Sequence, residues 1–354
     1  MKANYIRIGN KKIGKNYCPF IVAEMSGNHN HSLERALSII DLAAEAGAHA
    51  VKLQTYTADT MTLDVSEGEF FLRDNTSLWQ GQSLYNLYKK AYTPWEWHQP
   101  LIKRAKKNGI MCFSTPFDET AVDFLETLNV PAYKIASFEN THLPLIRKVA
   151  MTGKPLIIST GMASLYELKE VVNIVRDLGC KKLVLLKCTS SYPAKTQDCN
   201  LKTIPHMREI FDCEVGLSDH CMGVGAAVAA VACGATIIEK HFTIKRSDGG
   251  VDSAFSIEPE ELKQLVKATD EAWQSLGRVT YGTSNSERES VVFRRSLYIA
   301  KDMKKNDQLT KNNMRIVRPG HGLAPKYYDE LLGRKINRNA KKGQPVNWDI
   351  ISVD

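Results

Sequence analysis

Residues 215–242 read VGLSDHCMGVGAAVAAVACGATIIEKHF, and they contain the repeating unit that decides the fold. The apolar run at 215–218 and the one at 236–242 each predict a β-strand. The Ala-rich segment 223–233 between them predicts a helix, which ends before a glycine. A strand, a helix and a second strand in this order favour a parallel βαβ unit.

A small group of polar residues ends this type of apolar run eight times along the chain. Parallel strands with polar residues at their C-terminal ends are typical of a (β/α)8 TIM barrel, whose active site lies at that mouth. An open doubly wound sheet shares the alternation of strands and helices, but polar endings on all eight strands favour the closed barrel. The predicted strands are 20–26, 50–54, 111–115, 132–137, 155–160, 182–189, 215–218 and 236–242.

Helices are predicted between most of these strands, and several are followed by glycine, which tolerates the positive φ of a helix end. The interval between the second and third strands is unusually long. Its polar part, 57–82, is predicted to be irregular and to reach over a substrate. The predicted helices are 32–46, 94–107, 143–151, 165–178, 223–233 and 259–276.

The length of 354 residues suits one barrel and one small domain. A (β/α)8 barrel alone takes about 250 residues. We expect the barrel over residues 1–280, a polar linker over 281–292 and a small β-rich domain over 293–354. The turn-rich sequence RPGHG at 318–322 supports a change from alternating strands and helices to a small β-rich domain in this last part.

The composition, 43% hydrophobic and 24% charged, is that of an ordinary globular protein. The eight cysteines include no C-x-x-C pair, and the N-terminus has no apolar signal region. The longest apolar stretch, 224–238, is too short to span a bilayer. We therefore expect a cytoplasmic protein without a membrane segment.

The net charge of +8 is concentrated near the C-terminus. Residues 285–354 carry 15 Lys and Arg against 8 Asp and Glu, whereas residues 1–284 carry 32 against 31. The basic region could be a solvated surface, a nucleic-acid-binding face or a cover over an anionic substrate. It has neither interleaved aromatic residues nor a zinc motif, so we expect no nucleic-acid partner.

Two histidines, His220 and His241, end successive strands and would lie side by side at the barrel rim. Two neutral imidazoles supply half of a metal site, and the flanking carboxylates of Asp219 and Glu239 could orient the rings. With no cysteine nearby, Mg²⁺ or Mn²⁺ is favoured over a structural zinc ion. The alternative is that each imidazole only binds the backbone.

Three lysines, Lys52, Lys134 and Lys187, lie within apolar strands, where an unpaired ammonium is costly to bury. They would bind the phosphate and carboxylate groups of one small ligand, or form salt bridges inside the barrel. Lys240 is predicted to be structural, because strand alternation turns it away from His241. Hydroxyl groups near the lysines would come from Thr115, Ser137, Ser159, Ser190 and Ser218.

A carboxylate, Glu24, stands in the first apolar strand. It would either pair with a strand lysine such as Lys52 or work as an acid, a base or a water-orienting group. Asn28 and His29 follow in the next loop and would support the second role. Asp252, beyond the last strand, would bind sugar hydroxyls or hold a turn.

Six of these segments resemble motifs of the nonulosonic (sialic) acid synthases. They are AEMSGNH at 23–29, KLQTY at 52–56, FSTP at 113–116, YKIAS at 133–137, GLSDH at 216–220 and IEKH at 238–241. RRSL at 294–297 and RPG at 318–320 resemble the antifreeze-like (SAF) domain that ends those enzymes. Segments 134–140 and 187–193 resemble the pseudaminic acid branch, and Ser190 stands where the sialic acid branch more often has Asn.

The resemblance implies condensation of phosphoenolpyruvate with the open-chain aldehyde of a six-carbon amino sugar. The products would be a nine-carbon 2-keto acid and phosphate, with a divalent metal on His220 and His241 and with Glu24 acting on water. In the pseudaminic acid branch the sugar would be 2,4-diacetamido-2,4,6-trideoxy-L-altrose. The alternatives are a manno-configured sugar, as for neuraminic or legionaminic acid, and a non-enzymatic protein that binds through its basic C-terminal domain.

The resemblance also assigns side chains to the two substrates. Phosphoenolpyruvate would be held by Lys52, Thr115, Lys134, Ser137, Ser159, Ser190 and Ser218. The sugar would be faced by Gln54, Glu139, Tyr192, Asp252 and Phe293. Arg318 would reach the sugar from the SAF domain of a partner subunit, which implies a domain-swapped homodimer.

Overall fold

Eight parallel strands close into a barrel in the described part of the chain. The structure is a computed structural model that describes residues 5–74 and 78–353. Each strand pairs with the next in chain order, and the eighth closes on the first, so the predicted (β/α)8 barrel is confirmed. The strands are Phe20–Glu24, Ala50–Thr55, Met111–Pro116, Tyr133–Ile135, Leu156–Ser159, Leu183–Cys188, Glu214–Asp219 and Ile237–His241.

Most of the helices cover the outside of the barrel and bury apolar side chains against it. In Leu33–Glu45 the buried residues recur at the 3.6-residue period of a helix face. Leu84–Ala91, Glu119–Thr127 and Thr203–Phe211 were not predicted, and Ala58–Met61 lies in the segment 57–82 that was predicted to be irregular. Helices between or after the barrel strands are Leu33–Glu45, Ala58–Met61, Leu84–Ala91, His98–Lys107, Glu119–Thr127, Leu143–Met151, Leu165–Asp177, Thr203–Phe211, Gly225–Ala232 and Pro259–Leu276.

The lower end of the barrel interior is filled by apolar side chains. Ile8 and Ile13 come from an antiparallel hairpin, Ile6–Ile8 with Lys11–Ile13, that the sequence did not predict. They pack in one buried cluster with inward residues of the strands, among them Val22. Because alternate strand residues face the same side, the polar residues two positions further on face the upper mouth.

The chain divides into two compact units, Met1–Gly277 and Arg278–Asp354. The second unit contains an antiparallel pair of strands, Ser296–Ile299 and Met314–Val317. A separate apolar cluster that includes Leu297 and Met314 forms its core. This small antiparallel β region confirms the β-rich character predicted for the C-terminal part.

Over the ranges that the structure describes, no helix is both long and apolar enough to cross a membrane. All eight cysteines are free thiols.

Candidate active site

A cavity of about 560 Å³ opens at the C-terminal mouth of the barrel. Strand ends form its floor, and the segment between the second and third strands contributes much of its wall. Most of the predicted site residues line it together, although they lie far apart in sequence. They are Glu24, Lys52, Gln54, Lys134, Ser137, Glu139, Ser159, Ser190, Tyr192, Ser218, His220, His241 and Asp252.

Three predicted site residues are not among the described residues that line this cavity. Thr115 is fully buried in the barrel, where its hydroxyl accepts a hydrogen bond of 3.2 Å from Lys52 Nζ. Phe293 and Arg318 belong to the second unit, where both are exposed. Their contact with the sugar stays a prediction.

Lys187, which was expected beside the bound anion, does not line the cavity in the described structure. Its ammonium donates to the carbonyl oxygen of Cys188 at 2.9 Å. Strand alternation instead turns Cys188 toward the cavity. The same alternation places Lys240 as predicted, on the outer side, where its ammonium lies 2.7 Å from Asp219 Oδ2.

Two lysines and two glutamates form a buried ionic cluster in the cavity floor. Lys52 Nζ lies 2.7 Å from Glu24 Oε2 and 3.5 Å from Glu239 Oε1. Lys134 Nζ lies 3.0 Å from the same oxygen of Glu239, which also accepts a hydrogen bond from Ser218. Paired charges make this burial tolerable. Glu239 Oε2 has no hydrogen-bond partner in the described part of the chain.

The cluster shifts the pKa values of its two carboxylates in opposite directions. Burial raises the pKa of Glu24, Lys52 opposes this, and the charge of Glu239 adds to it. Burial would also raise the pKa of Glu239, but the ammonium groups of Lys134 and Lys52 outweigh it and lower that pKa to about 2. Two carboxylates whose pKa values are shifted apart in this way can take different roles, one transferring a proton and the other stabilising charge. Glu24 is therefore the one suited to moving a proton.

A chain of hydrogen bonds leads from Glu24 along the cavity floor. Gln54 Nε2 donates to Glu24 Oε1 at 2.9 Å and to Ser26 Oγ at 3.1 Å. The Ser26 hydroxyl in turn donates to Asp252. Asn28, predicted to support Glu24, instead donates its amide to the carbonyl oxygen of Phe242 at 3.0 Å. It holds the neighbouring loop.

The rings of His220 and His241 lie side by side, with centroids 5.4 Å apart. His220 Nδ1 lies 2.9 Å from the carbonyl oxygen of Thr189, which leaves Nε2 for a ligand. His241 Nδ1 is buried without a hydrogen-bond partner among the residues described. Tyr192 lies against His220, and Phe255 packs its edge against His241. The aromatic neighbours therefore restrict both rings.

The two imidazoles fit a divalent metal as a pair of nitrogen donors. Burial, reinforced by His220 and the nearby lysines, lowers the pKa of His241 and keeps it neutral, as a ligand must be. No group of three or more His, Cys, Asp or Glu side chains suits a metal within residues 5–74 and 78–353. The other positions around an ion would fall to water or substrate oxygen.

The predicted surroundings of the imidazoles are partly wrong. Asp219 and Glu239 do not orient the rings, because they pair with Lys240 and with the floor lysines. The backbone carbonyl of Thr189 takes that role for His220. Cys188, whose Sγ lies 3.9 Å from His220 Nδ1, is the nearby cysteine that was not expected.

Hydroxyl groups converge where the fourth, fifth and sixth strands end. Ser137 Oγ accepts a hydrogen bond of 3.1 Å from the backbone N–H of Gly161, and Ser159 Oγ has no partner in the described structure. A Cβ on Gly161 would overlap the hydroxyls of Ser190 and Ser137. Gly161 was missed, although the sequence Ser-Thr-Gly at a strand end signals close backbone approach. Asn140, also missed, fixes this loop through the carbonyl of Gly161.

The protonation of the Glu139 carboxyl group changes near neutral pH. Burial raises its pKa to about 7, although Lys134 opposes the shift. Its Oε2 atom has no hydrogen-bond partner in the part of the chain that is described. The group can therefore donate a hydrogen bond or a proton to a ligand.

Sequence models of two families match the chain: the NeuB family over residues 39–281 and the SAF domain over 294–351. The pseudaminic acid synthase of Campylobacter jejuni subsp. jejuni serotype O:2 is 44% identical, over 96% of this chain and 98% of that protein. The pseudaminic acid synthase of Helicobacter pylori is 42% identical, over 94% and 98%.

A similar solved structure is the N-acetylneuraminic acid (sialic acid) synthetase from Leptospira borgpetersenii serovar Hardjo-bovis in complex with citrate. It has a TM-score of 0.72 and 36% identity, and the match covers 81% of this chain and 95% of that one. The chain belongs to the NeuB family and ends in a SAF domain.

Proposed function

We propose that this protein is a transferase that condenses phosphoenolpyruvate with 2,4-diacetamido-2,4,6-trideoxy-L-altrose to give pseudaminic acid and phosphate. The proposal rests on the buried lysine–glutamate cluster and the two imidazoles beside it, because together they provide an anion-binding site and a metal-binding site at the same mouth of the barrel. The identities of 44% and 42% to two pseudaminic acid synthases support this sugar. A manno-configured sugar is the second candidate, favoured by 36% identity to a sialic acid synthetase.

Phosphoenolpyruvate binds over the ionic cluster. Lys52 and Lys134 form charge-assisted hydrogen bonds with its phosphate and carboxylate groups. The hydroxyls of Ser137, Ser159 and Ser190 donate to the remaining anionic oxygens. The absence of a side chain at Gly161 leaves room for the hydroxyls of Ser137 and Ser190. The anion is thus held in one orientation with its C3 atom toward the sugar.

The chain's own residues then move the protons of the reaction. C3 of phosphoenolpyruvate attacks the aldehyde carbon of the sugar, and protonated Glu139 gives a proton to the aldehyde oxygen. Water adds to the resulting cationic C2, and Glu24 takes the proton that the water loses. The bond between C2 and the phosphate oxygen then breaks and its electron pair leaves with phosphate. The departing phosphate takes the remaining proton of the C2 hydroxyl, so that a 2-keto acid and hydrogen phosphate remain.

Members of the NeuB family typically use a divalent metal, and His220 and His241 would hold Mn²⁺ or Mg²⁺ here. When bound, such an ion supplies Lewis-acid polarisation of the aldehyde. The neutral state of His241 supports this assignment, as does its Nδ1 atom, which makes no hydrogen bond to any residue that the structure describes.

We further propose a domain-swapped homodimer, in which Phe293 and Arg318 of a SAF domain complete the sugar site of the other subunit. Mixing two inactive variants, Lys134→Met and Arg318→Ala, tests this, because each mixed dimer would contain one complete site. Restored phosphate release supports the swap. Activity that stays absent in mixtures shown to exchange subunits would contradict it.

The function is tested by phosphate release from phosphoenolpyruvate in the presence of Mn²⁺, with and without EDTA. N-acetylmannosamine, 2,4-diacetamido-2,4,6-trideoxymannose and the corresponding L-altrose are offered in parallel. Release with the altrose sugar alone, abolished by EDTA, is the expected result. Preference for a manno-configured sugar would assign the protein to the synthesis of neuraminic or legionaminic acid instead. If no sugar led to phosphate release, the proposed enzymatic function would be refuted.

A further inference from the structure

The side of the cavity away from the imidazoles is mostly apolar, with the carboxylate of Asp74 and the hydroxyl of Tyr88 as its polar groups. Barrel strands follow one another in chain order, so the third strand stands opposite the seventh, which leads to His220. The segment that joins the second and third strands, and the first residue after the third, contribute a group of apolar side chains that we call the apolar wall. It consists of Met61, Leu72, Leu84, Leu87, Tyr88 and Phe117.

The apolar wall is held in place by its own backbone and aromatic contacts. Leu72 donates its N–H to the carbonyl of Gln82 at 3.0 Å and accepts from the N–H of Gly81 at 2.9 Å. Tyr88 meets the buried ring of Tyr56 edge to face, with centroids 5.8 Å apart. A surface that is ordered before binding loses little entropy when a ligand arrives.

The wall faces the end of the sugar that does not react. In an open-chain aldose the aldehyde carbon is at one end and C6 is at the other. With the aldehyde beside the imidazoles, an extended chain points C6 across the cavity toward the wall. A hydroxyl on C6 would lose its water there and find few partners, whereas a methyl group would be buried favourably.

We infer that the apolar wall is a specificity-determining surface that selects amino sugars with a C6 methyl group over those with a C6 hydroxyl group. This inference rests on the proposed function, and it names wall residues that distinguish 6-deoxy sugars from the 6-hydroxy sugars of sibling reactions. An apolar pocket discriminates against an added hydroxyl by roughly 100-fold. We expect that ratio of kcat/KM between the two sugars in the unmodified protein.

The test compares 2,4-diacetamido-2,4,6-trideoxy-L-altrose with its 6-hydroxy counterpart in two wall variants, Met61→Gln and Leu72→Gln. Each adds an amide of similar length to a partly buried position, so a C6 hydroxyl gains a partner. The preference for the 6-deoxy sugar should fall about tenfold, and the KM for phosphoenolpyruvate should not change. Leu63→Gln is the matched control, because Leu63 lies in the same segment but is 64% exposed and does not line the cavity.

The outcomes separate this inference from the proposed function. Both variants keeping the full preference, with unfolding temperatures like that of the unmodified protein, would overturn the inference and leave the proposed function standing. An equal fall in Leu63→Gln would also overturn it, because the wall would then have no special role. An unmodified protein that uses neither altrose sugar would overturn both.

Discussion

Lys134 Nζ lies 3.0 Å from Glu239 Oε1, and both side chains are almost fully buried in the barrel. Removing one partner of a buried pair leaves a charge without compensation, which typically costs about 3–5 kcal/mol. We predict that Lys134→Met lowers the free energy of unfolding by about 3 kcal/mol, since Lys52 still compensates part of the Glu239 charge. Denaturant unfolding measures this change.

Lys267→Met is the control for that prediction. Its partner Glu271 lies 3.8 Å away, and both side chains are mostly exposed, so little change is expected. Combining Lys134→Met with Glu239→Gln removes both charges and should recover part of the loss. Equal free energies of unfolding for Lys134→Met and the unmodified protein would show that the ion pair does not stabilise the fold.

Glu24 is the floor carboxylate whose pKa is raised by burial, and it is assigned to take a proton from water. Glu24→Gln keeps the shape of the side chain but removes the base. Because positioned bases contribute about 10²–10⁴-fold, phosphate release should fall by that factor while calorimetry still detects phosphoenolpyruvate binding. The control variant Glu34→Gln, at an exposed position, should change neither phosphate release nor phosphoenolpyruvate binding. Turnover within threefold of the unmodified rate would rule out the assignment.

Glu139 should give the reaction a pH dependence near neutrality. Burial raises its pKa to about 7, so its carboxyl is mostly protonated below pH 7 and ionised above it. Since the protonated form acts as donor, kcat/KM for the sugar should fall about tenfold per pH unit above pH 7. Glu139→Gln should remove this decline, and a variant that keeps it would point to another group.

The same raised pKa predicts the sign of a stability change. The folded state keeps a proton that the unfolded chain releases near its ordinary pKa of 4.5. The contribution of Glu139 to stability is therefore full below pH 4.5 and is lost as pH rises toward 7. The free energy of unfolding, compared between the protein and Glu139→Gln over this range, measures the effect.

The barrel was predictable because each strand combines an apolar run with a polar ending, as in Ile237–His241. The hairpin Ile6–Ile8 with Lys11–Ile13 was not, since three-residue strands show no periodicity and depend on tertiary burial of Ile8 and Ile13. The helix Glu119–Thr127 had a usable signal in Asp118, which caps it by accepting from the N–H of Ala121.

In the site, the sequence predicts which side chains meet but not how they pair. Polar strand endings must share one mouth, and most of the predicted residues do line one cavity. Partners depend on the register between strands: Lys240 stands beside Asp219 in that register and binds it. The carbonyl of Thr189, which fixes His220, is a backbone group and leaves no signal in the sequence.

The paired imidazoles predict a direct binding phenotype. His220→Ala and His241→Ala should each weaken Mn²⁺ binding, followed by electron paramagnetic resonance, by more than about 100-fold, since even groups that only orient ligands contribute 10–100-fold. Circular dichroism should remain that of the folded protein. His206→Ala, an exposed helical histidine, is the control. Unchanged Mn²⁺ affinity in both variants would exclude this pair as the metal site.

Gly161 predicts a binding defect without loss of the fold. A Cβ there would overlap the hydroxyls of Ser190 and Ser137, so Gly161→Ala should force them away from the phosphoenolpyruvate anion. Overpacking of this kind costs about 1–3 kcal/mol, and the KM for phosphoenolpyruvate should rise about tenfold or more. Steady-state kinetics at saturating sugar measure the change.

Gly225→Ala separates crowding at the anion site from a general effect of adding a methyl group. A Cβ at Gly225 meets open space at the start of a helix, where alanine is a better helix former than glycine. That variant should keep its KM and unfold at the same or a slightly higher temperature. If Gly161→Ala also keeps the KM of the unmodified protein, the converging hydroxyls do not bind phosphoenolpyruvate, and the anion must rest on Lys52 and Lys134 alone.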